Sequence, residues 1–241
     1  MNNILFITPT IMGRPELEIA MVENIAKLFP ECKVLFVANV EDNLFEEYEP
    51  KYDNIIKTIS GEKYNVSKAL NKGLDYLTNE DYVCFVQSDM FVSELTIQMC
   101  KSIVDDEEFN SGIVGIRPHS IFHLYNKLVA TIEGLDVYRV LWSDGIMFWS
   151  KKVLQDVGRF NEDYLGDRES QEYCYRAHEK GYNNYYLAVD DDGKYSQHFV
   201  TTISSKDRHD NDAFLKVYYE TRDKFKSKYE GWEPTQKHLF E

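Results

Sequence analysis

The sequence is short of several things, and each shortage excludes something. Only 12 glycines and 6 prolines occur in 241 residues, so this is neither a linker-rich nor a collagen-like chain. Its four cysteines, Cys32, Cys84, Cys100 and Cys174, are far apart and form no Cys-x-x-Cys pair. Zinc and redox motifs are therefore not indicated, and buried free thiols are expected. Positive charge is also scarce: 27 Lys and Arg stand against 41 Asp and Glu, a net charge of −14. An acidic surface repels phosphate polyanions and anionic membranes, which argues against a protein that wraps bare nucleic acid. No apolar run has the length that spans a bilayer. Met1-Asn2-Asn3 leads into Ile4-Leu5-Phe6-Ile7 with no basic segment, long apolar core or cleavage site. No secretory signal is read there, and a cytoplasmic protein without a membrane span is the expectation. What is present is hydrophobic residues at 43%, with 17 Tyr and 14 Phe. That is enough for a real core in one generous domain or two small ones.

The chain alternates between two periodicities. Residues 4–8 are a continuous apolar run, the pattern of a strand buried on both faces. Residues 15–29 open on Pro15, and Leu17, Ala20, Met21, Asn24, Ile25 and Leu28 recur at helical spacing. Residues 33–38 are a second buried strand, completing a βαβ unit with its right-handed crossover. Residues 41–53 are acidic and irregular. A short third strand at 55–59, a helix at 65–77 and a buried strand at 82–86 follow. Further on come a helix at 94–104, an acidic turn at 105–108 and strands at 113–116 and 146–149. Helices at 151–157 and 170–180 end on Gly158 and Gly181, both read as C-cap glycines. A strand at 185–189 and a final helix at 212–229 close the pattern. Residues 119–143 carry no clear period beyond a strand at 137–142.

In open α/β sheets ligands bind at the carboxyl ends of the strands. Thr8-Pro9-Thr10, Asn39-Val40-Glu41 and Gln87-Ser88-Asp89 are thus expected to converge on one crevice.

Six segments, in order, resemble the nucleotide-sugar glycosyltransferases of GT-A fold, family-2 type. Thr8-Pro9-Thr10 is similar to the loop that opens that family's nucleotide site. In Ala69-Leu70-Asn71-Lys72-Gly73, Asn71 and Gly73 match the family's A-R-N-x-G helix, with Leu70 in place of Arg. Gln87-Ser88-Asp89 resembles the D-x-D strand end, with Gln87 for the first Asp. The stretch from Asp144-Gly145 through Val157-Gly158-Arg159-Phe160-Asn161-Glu162 resembles the family's acceptor-side segment. Glu169-Ser170-Gln171-Glu172 resembles its E-D-x-D, with Ser170 for Asp, and Tyr218-Tyr219-Glu220-Thr221-Arg222-Asp223 resembles its C-terminal motif.

The resemblance implies an α/β fold with a mixed, mostly parallel, Rossmann-like sheet flanked by helices. It makes residues 1–241 a single domain. Within it, 1–110 is the nucleotide-sugar half, 111–205 the acceptor and catalytic half, and 206–241 a terminal helix and tail. The implied cofactor is Mn2+ or Mg2+, a Lewis acid that stabilises charge on the departing diphosphate. Asp89 is the first implied metal ligand and His198 the second, the latter at a strand end where many members carry histidine. The triple Asp190-Asp191-Asp192 reads as a solvated loop.

An inverting transfer also needs a carboxylate general base near the acceptor hydroxyl. Ser170 cannot serve. Glu169 and Glu172 remain, on one face of a helix start, where they also suit the helix dipole. Asp144 and Asp167 are nearby alternatives, and inverting and retaining chemistry both stay open.

For the donor, expected to be a UDP-sugar, the candidates are Thr8, Pro9, Thr10, Arg14, Glu41, Asp42, Asn65, Lys68, Gln87, Ser88 and Asp89. Lys206, Arg208 and His209 are candidates for a lid. The acceptor is a hydroxyl, on a saccharide, a lipid-linked sugar, a protein or a hydroxymethylated base of phage DNA. For the DNA acceptor, Lys151-Lys152 and Lys224, Lys226 and Lys228 would supply local basic surface. Two other readings compete: a nucleotide-sugar-binding module that has lost catalysis, as Gln87 and Ser170 would suggest, and a nucleotidyltransferase.

Overall fold

The computed structural model describes residues 3–10, 14–63, 65–88, 90–118, 126–143, 145–164, 168–189, 197–198 and 212–228. Seven helices and eleven strands occur among the described residues. In chain order these are β1 (Ile4–Thr10), α1 (Pro15–Leu28), β2 (Lys33–Ala38), α2 (Asn43–Glu47), β3 (Ile55–Ile59), α3 (Val66–Leu74), β4 (Tyr82–Val86) and β5 (Met90–Phe91). Next come α4 (Glu94–Asp105), β6 (Ser111–Pro118), β7 (Asn126–Ile132), β8 (Leu135–Val140), β9 (Ile146–Ser150) and α5 (Lys151–Val157). The last are α6 (Glu169–Glu179), β10 (Asn183–Val189), β11 (Gln197–His198) and α7 (Asp212–Lys228).

Nine strands form one sheet in the order β3-β2-β1-β4-β9-β6-β10-β8-β7. The first four are parallel, as their continuous apolar runs predict. β9 runs antiparallel to both β4 and β6, β10 is parallel to β6, and β8 and β7 add antiparallel edges. All strands of the sheet but β8 and β9 therefore point the same way. The carboxyl ends of β1, β2, β3, β4, β6 and β10 share one sheet edge. A second sheet pairs β5 with β11, setting His198 opposite Met90.

Two apolar layers sandwich the sheet. On one face α1, α2 and α4 cover Phe6, Phe36, Cys84 and Phe148. On the other, α3, α5 and α6 with Phe225 of α7 cover Ile7, Val37, Phe85 and Trp149. All four cysteines are buried and free. Burial pushes the Cys174 thiol up to about 12 and also raises Cys84 and Cys100 well above the ordinary thiol value.

Several expectations need amending. The irregular 41–53 contains α2, because the Asp42 carboxylate accepts from the Leu44 and Phe45 backbone and caps a turn that buries Phe45. The unreadable 119–143 holds the β7–β8 hairpin, whose two-residue turn puts both Glu133 and Gly134 at positive φ (51° and 83°). Its register breaks between Leu128 and Ala130, which blurs the alternation a reader looks for. Strands of two residues, β5 and β11, are too short to show a period. The buried face of α1 is Glu18, Met21, Val22, Ile25 and Ala26 rather than the stripe starting at Leu17 and Ala20. A charged Glu18 hid that rotation. Gly158 and Gly181 do close their helices, at φ 89° and 87°.

Gly73 marks a close approach. A Cβ there would lie 2.5 Å from Ile7 Cγ2, so α3 rests directly on β1. Gly73→Ala is expected to destabilise by about 1–3 kcal/mol of overpacking, less the ~1 kcal/mol that alanine returns in helix propensity. Urea unfolding checks this: the midpoint should fall while the m-value holds.

Candidate functional site

Three loops leave the carboxyl edge of the parallel block side by side. Thr10 ends β1, Asn39 follows β2, and Gln87-Ser88 follows β4. The Asn39 N–H donates to the Thr10 carbonyl at 2.9 Å, tying the first two together. Asn39 Nδ2 reaches the Glu62 carbonyl at 3.2 Å, tying in the loop after β3. These strand ends therefore lie side by side, because parallel strands bring their C-terminal loops together.

The expected donor residues divide by exposure. Thr8 is fully buried and pairs with Phe36 inside the sheet, so it cannot line the crevice. Pro9 is likewise within the strand, and of the three only Thr10 stands at its end. Arg14 is half-buried where the chain enters α1. Glu41 is exposed, and Asp42 beside it serves α2 as cap. Gln87 and Ser88 are half-buried at the end of β4. Lys68 faces out beside Glu62, Nζ to Oε2 3.2 Å, so a carboxylate already partners its charge.

Asn65 is 1% exposed, and both ends of its amide are engaged. Its Oδ1 caps α3 by accepting from the Lys68 N–H at 2.9 Å, and its Nδ2 donates to the Glu162 carbonyl at 3.0 Å. That occupies the side chain structurally and removes it from the donor residues. One turn on, Asn71 makes the same kind of link. Its Nδ2 donates to the Phe160 carbonyl (2.9 Å) and Glu162 Oε1 (2.8 Å), and its Oδ1 accepts the Phe160 N–H (3.0 Å). Two of the six resembling segments thus bind one another, and α3 is stitched to the loop that follows α5. Arg159 adds an ion pair to Asp75 at 2.8 Å.

On the acceptor side, α6 lies so that Ala177 is near Gly112 at the amino end of β6, while Cys174 meets Ser143. Its first turn, with Glu169, therefore lies toward the crevice end, where the helix dipole favours an acid. Glu169 is half-buried there. Glu172 points the other way. Its carboxylate is 2% exposed and accepts from Arg176 Nε with both oxygens at 2.9 Å. The guanidinium goes on to the Val157 and Arg159 carbonyls at 2.6 and 2.8 Å. The sequence-based choice of Glu172 as a catalytic group is corrected accordingly: it is sealed in the core and joins α6 to the end of α5. Asp89, Asp144, Asp167, the Asp190–Asp192 run and the Lys206, Arg208 and His209 cluster lie outside the described residues. His198 is described by its backbone alone.

Among the described lysines of the basic clusters, Lys152 pairs with Asp156 at 2.7 Å and Lys224 with Asp163 at 3.0 Å, while Lys151 donates to the Thr78 carbonyl.

One group escaped the sequence reading. Glu18 of α1 is 5% exposed and accepts from Thr10 Oγ1 at 2.5 Å. Burial raises its pKa above the ordinary carboxylate value, and hydrogen bonds from Thr10, the Arg14 backbone and Ser88 oppose the shift. The available signal was its place on the stripe of Met21, Val22 and Ile25.

If Arg176 holds Glu172, removing the cation strands a buried charge. Arg176→Met should cost about 3–5 kcal/mol, whereas Glu172→Gln with Arg176→Met should recover part of that loss. Asn71→Ala should cost about 2–3 kcal/mol through the unpaired Phe160 backbone. Chemical denaturation reads both.

No protein-family model matches the sequence, and no curated protein does. Solved structures do match. S. aureus TarS aligns at 18% identity over 93% of this chain and 44% of its own, with a TM-score of 0.57. TarS 1–349 in complex with UDP-GlcNAc aligns at 17% identity over 93% of this chain and 66% of its own, TM-score 0.59. A Drosophila β1,4-galactosyltransferase 7 mutant in complex with manganese, UDP-Gal and xylobiose aligns at 11% identity over 85% and 74%, TM-score 0.53. This chain thus spans less than half of the full-length TarS structure. The strand order and these likenesses agree that the chain has the GT-A fold.

Proposed function

We propose that this protein is a metal-dependent glycosyltransferase that moves a sugar from a nucleotide-sugar, a UDP-sugar by preference, to a hydroxyl of a saccharide. The observation carrying the reading is the crevice itself, built from Thr10, Asn39 and Gln87-Ser88 at the carboxyl edge of the parallel block. The structures it resembles include complexes with UDP, with UDP-sugars and, in two cases, with manganese and a sugar.

A cation site fits the residues available. β5 begins at Met90, next in sequence to Asp89, and β11 sets His198 opposite Met90. A carboxylate and an imidazole are an acceptable donor pair for Mn2+, and Mg2+ would use the carboxylate with phosphate oxygens. Such a cation supplies Lewis-acid stabilisation of the departing diphosphate. In this reading Arg14 and Ser88 hold the nucleoside diphosphate, Thr10, itself buried and bonded to Glu18, fixes the strand end behind them, Glu41 meets the base or ribose, and Gln87 hydrogen-bonds a hydroxyl. Lys68 contributes positive charge from the start of α3. Glu169, at the crevice end of α6, accepts the acceptor proton or orients the acceptor, with Asp144 as the other acidic candidate. Two of the lysines a nucleobase acceptor would call on, Lys152 and Lys224, are already paired with Asp156 and Asp163.

Incubation with UDP-sugars and Mn2+ or Mg2+ tests the reading. UDP release is expected, and Asp89→Ala should lower it by about 100-fold or more. Pyrophosphate release would instead identify a nucleotidyltransferase. Tight UDP binding without turnover over a broad saccharide panel would identify a binding module.

A further inference from the structure

Glu18 has no part in the chemistry just described, yet its position is costly. Along the inner stripe of α1, Met21, Val22 and Ile25 present hydrocarbon to the sheet. At the end of that stripe nearest the crevice, α1 presents a carboxylate instead. For packing alone a leucine would serve better, because burying a carboxylate costs several kcal/mol unless hydrogen bonds hold it. The hydrogen bonds that hold Glu18 all come from the rim of the crevice. Thr10 Oγ1 donates at 2.5 Å. The Arg14 backbone, the Arg14 charge and the Ser88 side chain act on the same carboxylate. These groups belong to three separate pieces of chain: the end of β1, the entry to α1 and the turn after β4. Glu18 is too enclosed to meet a ligand itself, at 5% exposure.

We infer that Glu18 is a positioning residue of the nucleotide site, whose carboxylate fixes Thr10, Arg14 and Ser88 in the arrangement that receives a nucleoside diphosphate. The inference rests on the reading of this crevice as a nucleotide-sugar site. It makes Glu18 a cross-tie, acting through the residues it holds, and it accounts for an acid placed beside a site meant for an anion. A rim held in advance loses less entropy when the ligand arrives.

The test uses the full chain and UDP as the probe. UDP binding is measured by calorimetry with Mn2+ and again in EDTA, KM and kcat are measured for UDP-sugar hydrolysis, and every variant is melted. Glu18→Ala should weaken UDP binding about tenfold and raise KM without a matching fall in kcat. Glu18→Gln keeps the volume and one acceptor oxygen and should lose only about threefold. Thr10→Val added to Glu18→Ala should cost no more than the worse single change, since both remove one interaction. If Glu18→Ala does not fold, the Gln variant and Thr10→Val carry the comparison. Unchanged UDP affinity and KM in folded variants, with only the melting temperature lowered, would overturn the inference, as would additive losses in the double variant. Wild-type protein that binds no UDP would overturn the nucleotide-sugar reading, and the inference with it. A wild type that binds UDP and is indifferent to Glu18 would overturn the inference alone.

Discussion

The arrangement of this molecule follows from one constraint: the parallel block of the sheet is covered by helices on both faces. Every residue of β1 is buried, as is nearly all of β2. Such strands have no solvent-facing side on which to carry polar chemistry, and their backbone groups are satisfied only by one another. Polar function is therefore expelled to the strand ends. Because parallel strands finish together, the expelled groups collect along one edge. Thr10, Asn39, Glu62 and Ser88 meet there although they are dispersed in sequence.

The second consequence concerns how two halves become one unit. The parallel block β3-β2-β1-β4 joins the rest of the sheet through a single antiparallel pair, β4 with β9. On one face of that seam the amides of Asn65 and Asn71 reach the backbone of 160–162, and Trp149, Phe160 and Tyr173 pack beside them as an aromatic cluster. Amide links are directional and apolar packing is not, so the pair supplies both alignment and cohesion.

Much of this was legible in the sequence, for reasons that can be named. β1, β2 and β4 were readable because double burial leaves an uninterrupted apolar run. The crevice followed from their direction. Asn71 and Gly73 were readable as a motif, although their role as a bridge and a close contact needed coordinates. What was illegible shares a cause: a local signal overridden by a partner distant in sequence. Glu18 carried no signal of its own, because what holds it, Thr10, lies on another element. Glu172 looked catalytic until Arg176 closed over it. The β7–β8 hairpin was hidden by its register break, and β5 and β11 by their brevity. Lys152 and Lys224 looked like uncompensated charges until Asp156 and Asp163 were found across from them.

The register break in β7 has a consequence of its own. β7 is the outermost strand, and Leu128 and Val129 on it are 52% and 42% exposed. A flat outer strand with such side chains would be a template for another chain to extend the sheet. The irregularity between Leu128 and Ala130 interrupts the even spacing of amide and carbonyl groups that such an extension requires, and Lys127 adds a charge beside it. The same irregularity that concealed this strand from sequence reading thus discourages copies of the protein from joining edge to edge.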